Sequence, residues 1–120
     1  MKKEFNVIAQ IIKNNKRVLD IGCGAGVNLP LSKYFDTIDY TGVDYAEKTL
    51  EHSRSVYPES TFIVKDAFNL GFNKEFDLAI ISSVLILYKE EKDRLILLEN
   101  ARNAIKDDGV LVAIVWKDSW

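Results

Sequence analysis

The stretch RVLDIGCGAG, residues 17–26, constrains this chain more than any other segment. A short apolar run feeds directly into three glycines at alternating positions, Gly22, Gly24 and Gly26, with Asp20 just before them. Each glycine gives up more backbone entropy on folding than an alanine in its place. The run therefore marks a place where something must approach the backbone closely, and the apolar residues ahead of it read as a buried strand.

Along the rest of the chain, apolar runs flanked by turn residues alternate with helical periodicity, the pattern of βα units and a mainly parallel sheet. Strands are predicted over 17–21, 40–44, 61–65, 76–82 and 110–116. Helices are predicted over 28–35, 46–57 and 89–105, with a further amphipathic helix over 1–15 that places Phe5, Ile8 and Ile12 on one face. In the last helix Leu95, Leu98, Arg102 and Ile105 recur at spacings of three and four. Asp107, Asp108 and Gly109 are expected to stop that helix, with Gly109 in a left-handed C-terminal position. NLGFNKEF reads as a loop around Gly71 between the third and fourth strands.

The 120 residues are expected to form one domain, 1–120, large enough to bury about two thirds of its unfolded surface. Apolar residues make up 48% and charged residues 28%, which is ordinary for a globular protein. No apolar run approaches the roughly 20 residues of a membrane span. Glu4, Asn6 and Gln10 interrupt the N-terminal apolar residues and no small-residue cleavage site follows. The single Cys23 forms no internal disulfide. These features point to a cytoplasmic protein without a membrane partner. The 16 lysines and arginines are scattered among 18 acids, for a net charge of −2, which argues against nucleic acid as a partner. With one histidine, His52, and one cysteine, no zinc-site spacing exists and no metal is expected.

In an open α/β sheet, ligands bind beyond the carboxyl ends of the strands. Asp20 and the glycines follow the first predicted strand, Asp44 closes the second, Asp66 the third, and Ser82 and Ser83 the fourth. Acids and serines also serve as ordinary helix caps, but four polar strand ends on one rim favour a site. A dinucleotide fingerprint, G-x-G-x-x-G, requires glycine where this chain has Val27. A carboxylate at Asp20 also repels a pyrophosphate. An acid there suits an ammonium group. With Asp44 placed to accept two ribose hydroxyls, the pattern suits an amino acid joined to a nucleoside.

These residues resemble the class I S-adenosylmethionine-dependent methyltransferases, over about 16–116. VLDIGCGAG is similar to that family's glycine motif, and YTGVDYAEKTLEHSR to its second strand and following helix. FIVKDAFNL is similar to the third-strand end, FDLAIISSVLILY to the fourth strand, and LLENARNAIKDDGVLVAIVW to the final helix, turn and fifth strand. The resemblance implies an α/β, three-layer Rossmann-like fold, doubly wound around a mainly parallel sheet of order 3-2-1-4-5, without the family's usual sixth and seventh strands.

It also implies a methyltransferase that uses S-adenosylmethionine, releases S-adenosylhomocysteine and acts on a small-molecule acceptor. By that likeness Asp20 would hold the methionine ammonium directly or through water, and Gly22, Cys23, Gly24 and Gly26 would form the loop against which the ligand lies. Asp44 would take the ribose, Tyr45 would pack on the adenine, and Asp66 would accept from the adenine amino group. Ala67 would offer its backbone N–H, and Ser82 would lie near the methionine end.

The chain departs from the family in three places. KDDG stands where the family usually carries a proline and two glycines. Ile86 and Leu87, followed by Tyr88, stand where many small-molecule members have histidines, so no catalytic base is assigned. Methyl transfer can proceed by positioning, since well-oriented reactants reach effective molarities of about 10⁵ M or more. Cys23 is expected to pack under the loop, His52 to be solvated, and Tyr88 to lie either at the core edge or in a substrate pocket.

The third departure is length, because the chain ends at VWKDSW. GVLVAIVW is then an apolar edge strand open to pairing with a second copy or another chain. Three readings stay open: a fragment of a larger methyltransferase, a minimal enzyme completed by such a partner, and a non-catalytic ligand-binding or interaction module.

Overall fold

A computed structural model describes residues 16–24, 38–81 and 88–113. The expected helices over 1–15 and 28–35, the positions Gly26, Ser82 and Ser83, and the end of the fifth strand lie outside the described residues. Five strands are present: β1 (Lys16–Ile21), β2 (Ile38–Asp44), β3 (Thr61–Val64), β4 (Phe76–Ile81) and β5 (Ile105–Ala113). Helix α1 (Glu47–Val56) joins β2 to β3, a 3₁₀ turn (Ala67–Asn69) follows β3, and α2 (Glu91–Ala104) precedes β5. The strands form one sheet of order β3-β2-β1-β4-β5, as the family resemblance implies. Each neighbouring pair runs parallel.

β1 and β4 sit in the middle of the sheet, and their near-continuous apolar sequences follow from burial on both faces. Alternation along the strands divides the core in two. Val18, Tyr40, Phe62, Leu78 and Ile80 gather on one face with Leu50 of α1. Leu19, Ile21, Val43, Ala79 and Ile81 gather on the other with Leu97, Ala101 and Ala104 of α2. Each helix is held to its face by very few large side chains. Truncating Leu50 or Leu97 to alanine is expected to cost about 2–5 kcal/mol.

Two expectations shift. The buried stripe of α2 is Leu97, Ala101 and Ala104, while Leu95 is 57% exposed and Ile96 46% exposed. LILLENARNA carries overlapping apolar stripes at spacings of three and four, and the sheet selects the one with two alanines, which lets the helix axis approach. The helix also stops sooner than predicted, at Ala104. Ile105 is already extended (φ −96°, ψ 155°) and begins β5.

Residues 106–109 then bulge out opposite Asp77 alone, since Phe76 pairs with Ile105 and Leu78 with Val110. Gly109 is not left-handed; the glycines of positive φ among the described residues are Gly22, Gly24 and Gly71. Gly109 is required instead by close approach, because a Cβ there would lie 3.0 Å from the carbonyl oxygens of Asp77 and Lys106. The loop before β4 closes the end of α2: the Lys74 N–H donates to the Asn103 carbonyl (2.9 Å) and the Glu75 N–H to the Ala104 carbonyl (2.8 Å). Carbonyls that the helix leaves unpaired are thereby satisfied. Among the described residues no helix is long and apolar enough to cross a membrane.

Candidate functional site

Parallel pairing brings the carboxyl ends of β1, β2 and β3 side by side, and with them Asp20, Asp44 and Asp66. Past Ile21 the chain turns sharply through Gly22 (φ 75°) and Gly24 (φ 64°). The N–H groups of Gly22 and Cys23 both donate to the Val43 carbonyl (2.9 and 3.1 Å), which fastens the turn to the end of β2. The Gly24 N–H donates to Asp44 Oδ2 (3.0 Å), and Asp44 Oδ1 accepts from the Ala46 N–H (3.1 Å). Among the described residues, a Cβ built on Gly24 would meet no atom within 4 Å, so this face of the turn is open on their side. The left-handed φ, costly for a residue with a side chain, and the open face together account for glycine at this position.

Asp20 lies beneath the turn. It is 0% exposed, and the Tyr40 hydroxyl donates to its Oδ2 at 2.5 Å. Burial, then the Asp20 charge, pushes the Tyr40 phenol far above its usual pKa, so it remains a donor to the carboxylate. Tyr40 was not singled out from the sequence. Its signal is positional, since Tyr40 pairs with Val18 and its side chain lies on the same face of the sheet as that of Asp20.

Cys23 is buried as expected, its Sγ packed in front of Gly42 beside the Phe62 ring. Burial, then the charges of Asp20 and Asp44, raises its thiol well above the ordinary range. A thiol that stays protonated is a poor nucleophile.

At the end of β2, Tyr45 is 78% exposed immediately beside Asp44. The Lys65 N–H donates to the Asp44 carbonyl (2.9 Å), tying the ends of β2 and β3 together and holding Asp66 close by. Asp66 is exposed and caps the 3₁₀ turn, its Oδ1 accepting from the Phe68 N–H (2.9 Å). The Ala67 carbonyl accepts from Asn100 Nδ2 of α2 (3.1 Å). Tyr88 packs edge-on against Phe68 with ring centres 5.0 Å apart, which places it at the core edge. His52 is exposed on α1.

Its neighbour Ser53 is fully buried, and its Oγ lies 3.2 Å from the Gly24 carbonyl. This contact was not anticipated. The available signal was spacing: Ser53 follows Leu50 by three residues, on the face of α1 turned to the sheet.

Each carboxylate oxygen of Asp44 has a second lone-pair direction beyond the backbone N–H it accepts. The rim thus combines an open glycine turn, hydrogen-bond acceptors, an exposed aromatic ring and a buried acid. That is equipment for binding a polar, cation-bearing ligand. Of the residues named from the sequence, Asp20, Gly22, Cys23, Gly24, Asp44, Tyr45, Asp66 and Ala67 fall within this described region, and Gly26 and Ser82 lie outside it.

Comparison with known proteins agrees with this architecture. The profile of a family described as "Methyltransferase domain" matches residues 18–109. A demethylmenaquinone methyltransferase of Thermotoga maritima is 32% identical over 115 residues, covering 94% of this chain and 48% of that protein. The chain therefore spans about half the length of that relative. Among solved structures, a TehB-like SAM-dependent methyltransferase of Corynebacterium glutamicum superposes with a TM-score of 0.80 at 23% identity, over 98% of this chain and 64% of that one. A SAM-dependent methyltransferase of Methanosarcina mazei gives a TM-score of 0.78 at 22% identity, over 89% of this chain and 55% of that one. At these identities the two structures speak to the fold alone, whereas the profile covers most of the chain. This chain belongs to the methyltransferase-domain family.

Proposed function

We propose that the chain binds S-adenosylmethionine along the rim formed by the glycine turn, Asp44, Tyr45 and Asp66, and that it serves methyl transfer to a small-molecule acceptor. The observation that carries this reading is the join at Gly24. Its N–H is held by Asp44 while the space a side chain would fill is open. One residue thus links the acid suited to a ribose with the turn suited to an amino-acid tail.

The residues fit such a ligand. Asp44 accepts both ribose hydroxyls through its remaining lone pairs. Tyr45 offers an exposed ring to the adenine, Asp66 accepts from the adenine amino group, and Ala67 contributes its N–H. The buried Asp20 carboxylate, steadied by Tyr40, favours positive charge above the turn, where low dielectric strengthens the attraction. Gly22, Cys23, Gly24 and Gly26 admit the tail against backbone, and Ser82 belongs to the methionine end. When bound, the cofactor supplies a methyl group already activated on a sulfonium. What remains for the protein is to orient that group, exclude water and hold the acceptor in line. The relatives' greater length leaves room for residues beyond this chain to contribute to the acceptor site.

Calorimetric titration with S-adenosylhomocysteine, with NAD titrated in parallel, tests the reading. Micromolar binding of the first and none of the second is expected. A folded chain that binds NAD and ignores S-adenosylhomocysteine overturns it.

A further inference from the structure

We propose that Ser53 is a positioning residue of the glycine turn, fixing from helix α1 the backbone face on which the ligand's amino-acid half rests. This rests on the ligand reading above and goes beyond it, because Ser53 lies outside the strand ends and touches no ligand.

Gly24 is held on both sides of its Cα. Its N–H donates to Asp44 Oδ2 (3.0 Å), and its carbonyl accepts from Ser53 Oγ (3.2 Å). Between these two anchors φ is +64°, the left-handed value that turns the open face outward. An anchor on the amide side alone leaves the following peptide free to rotate, and the carbonyl-side anchor removes that freedom. Ser53 is 0% exposed, so its hydroxyl meets no competition from bulk water.

The hydroxyl has one proton and a second acceptor within reach, the Thr49 carbonyl of its own helix at 3.4 Å. Back-bonding of that kind is the usual fate of a serine inside a helix. Here the shorter contact reaches across to the turn. A turn already fixed in its binding conformation spares the ligand the ordering cost that a loose one imposes.

The test uses Ser53→Ala, which removes only the hydroxyl and places a better helix former in α1. S-adenosylhomocysteine is expected to bind about 3- to 10-fold more weakly, the worth of one neutral hydrogen bond. In the unliganded chain, the Gly24 amide is expected to exchange with solvent at least threefold faster while the Leu50 amide of α1 keeps its parent rate. Ser53→Thr, which keeps the hydroxyl, is expected to restore the slow Gly24 exchange.

Affinity within twofold of the parent, or a Gly24 amide that is not selectively accelerated, overturns the proposal and leaves the ligand reading intact. If the parent chain itself fails to bind S-adenosylhomocysteine, the ligand reading fails. The exchange arm still decides whether Ser53 anchors the turn.

Discussion

The two ends of the same sheet use their acids in opposite ways. At the amino ends of the strands, acids are spent on cations of the chain itself. The Arg17 guanidinium pairs with Asp39 through Nε (3.2 Å) and donates from Nη1 to the Glu75 backbone carbonyl (2.9 Å), while the Arg17 backbone N–H donates to Asp77 Oδ2 (2.8 Å). The guanidinium also lies 5.0 Å over the Phe76 ring. Lys106 pairs with Asp77 at 3.2 Å and Lys74 with Asp107 at 2.9 Å. A cleft of about 370 Å³ at this end is lined by Lys74, Arg102, Lys106 and Asp107, so two of its cations already have acids.

At the carboxyl ends, Asp44 and Asp66 accept backbone N–H groups. Among the described residues neither stands within ion-pair distance of a lysine or arginine. One end is stitched by charge, and at the other these two acids are engaged by backbone N–H groups alone. The contrast separates acids paired with lysine or arginine from the acids to which the proposed function assigns a ligand, although both kinds look alike in the sequence.

The sharpest way to break this contrast is at Gly24. Gly24→Val is expected to lower affinity for S-adenosylhomocysteine at least 100-fold by filling the open face, with a stability cost of about 1–2 kcal/mol from the left-handed backbone. Titration together with circular dichroism checks it, and binding within threefold of the parent removes the ligand from this turn. Next in size, Asp44→Ala is expected to weaken binding by about 1.5–3 kcal/mol, the worth of hydrogen bonds to a charged acceptor.

At the opposite end, Asp77→Ala is expected to cost a similar 1.5–3 kcal/mol in denaturant unfolding while leaving affinity within twofold. If it weakened ligand binding as much as Asp44→Ala does, the division between the two ends would not hold.

Asp77 also gives the contrast a pH signature. The Arg17 N–H, with the hydrogen bond and charge of Lys106, holds its carboxyl below the usual carboxylate range. A group whose pKa is depressed by folding adds stability above its unfolded pKa of about 4 and loses it as pH falls through the folded value. Stability is therefore expected to decline below about pH 4, and more shallowly in Asp77→Asn. The smallest effect belongs to the surface: breaking the exposed Lys92–Glu90 contact at 3.9 Å is expected to change stability by less than about 0.5 kcal/mol.

Much of the fold was legible because its signals are local. The central strands are continuous apolar runs, and a glycine run after the first of them marks a turn at a sheet rim. The acids of that rim were legible for the same reason, since Asp20, Asp44 and Asp66 each stand at the end of such a run. The positions that went astray are those settled between elements. Leu95 and Leu97 fit helical stripes equally well until a sheet lies against one of them. Gly109 reads as a helix stop until the Asp77 carbonyl is found in the space its side chain would need.

What the sequence determined by itself is therefore the order of elements, the glycine turn and the placing of acids at strand ends, all properties of neighbouring residues and their periodicity. The tertiary structure alone decided that Tyr40 donates to Asp20, that Ser53 holds the Gly24 carbonyl, and that Asp77 is tied to Arg17 while Asp44 holds the Gly24 N–H. The separation along the chain is 20 residues for the first pair, 29 for the second and 60 for the third. No local pattern records such meetings; strand register and the docking of a helix bring them about.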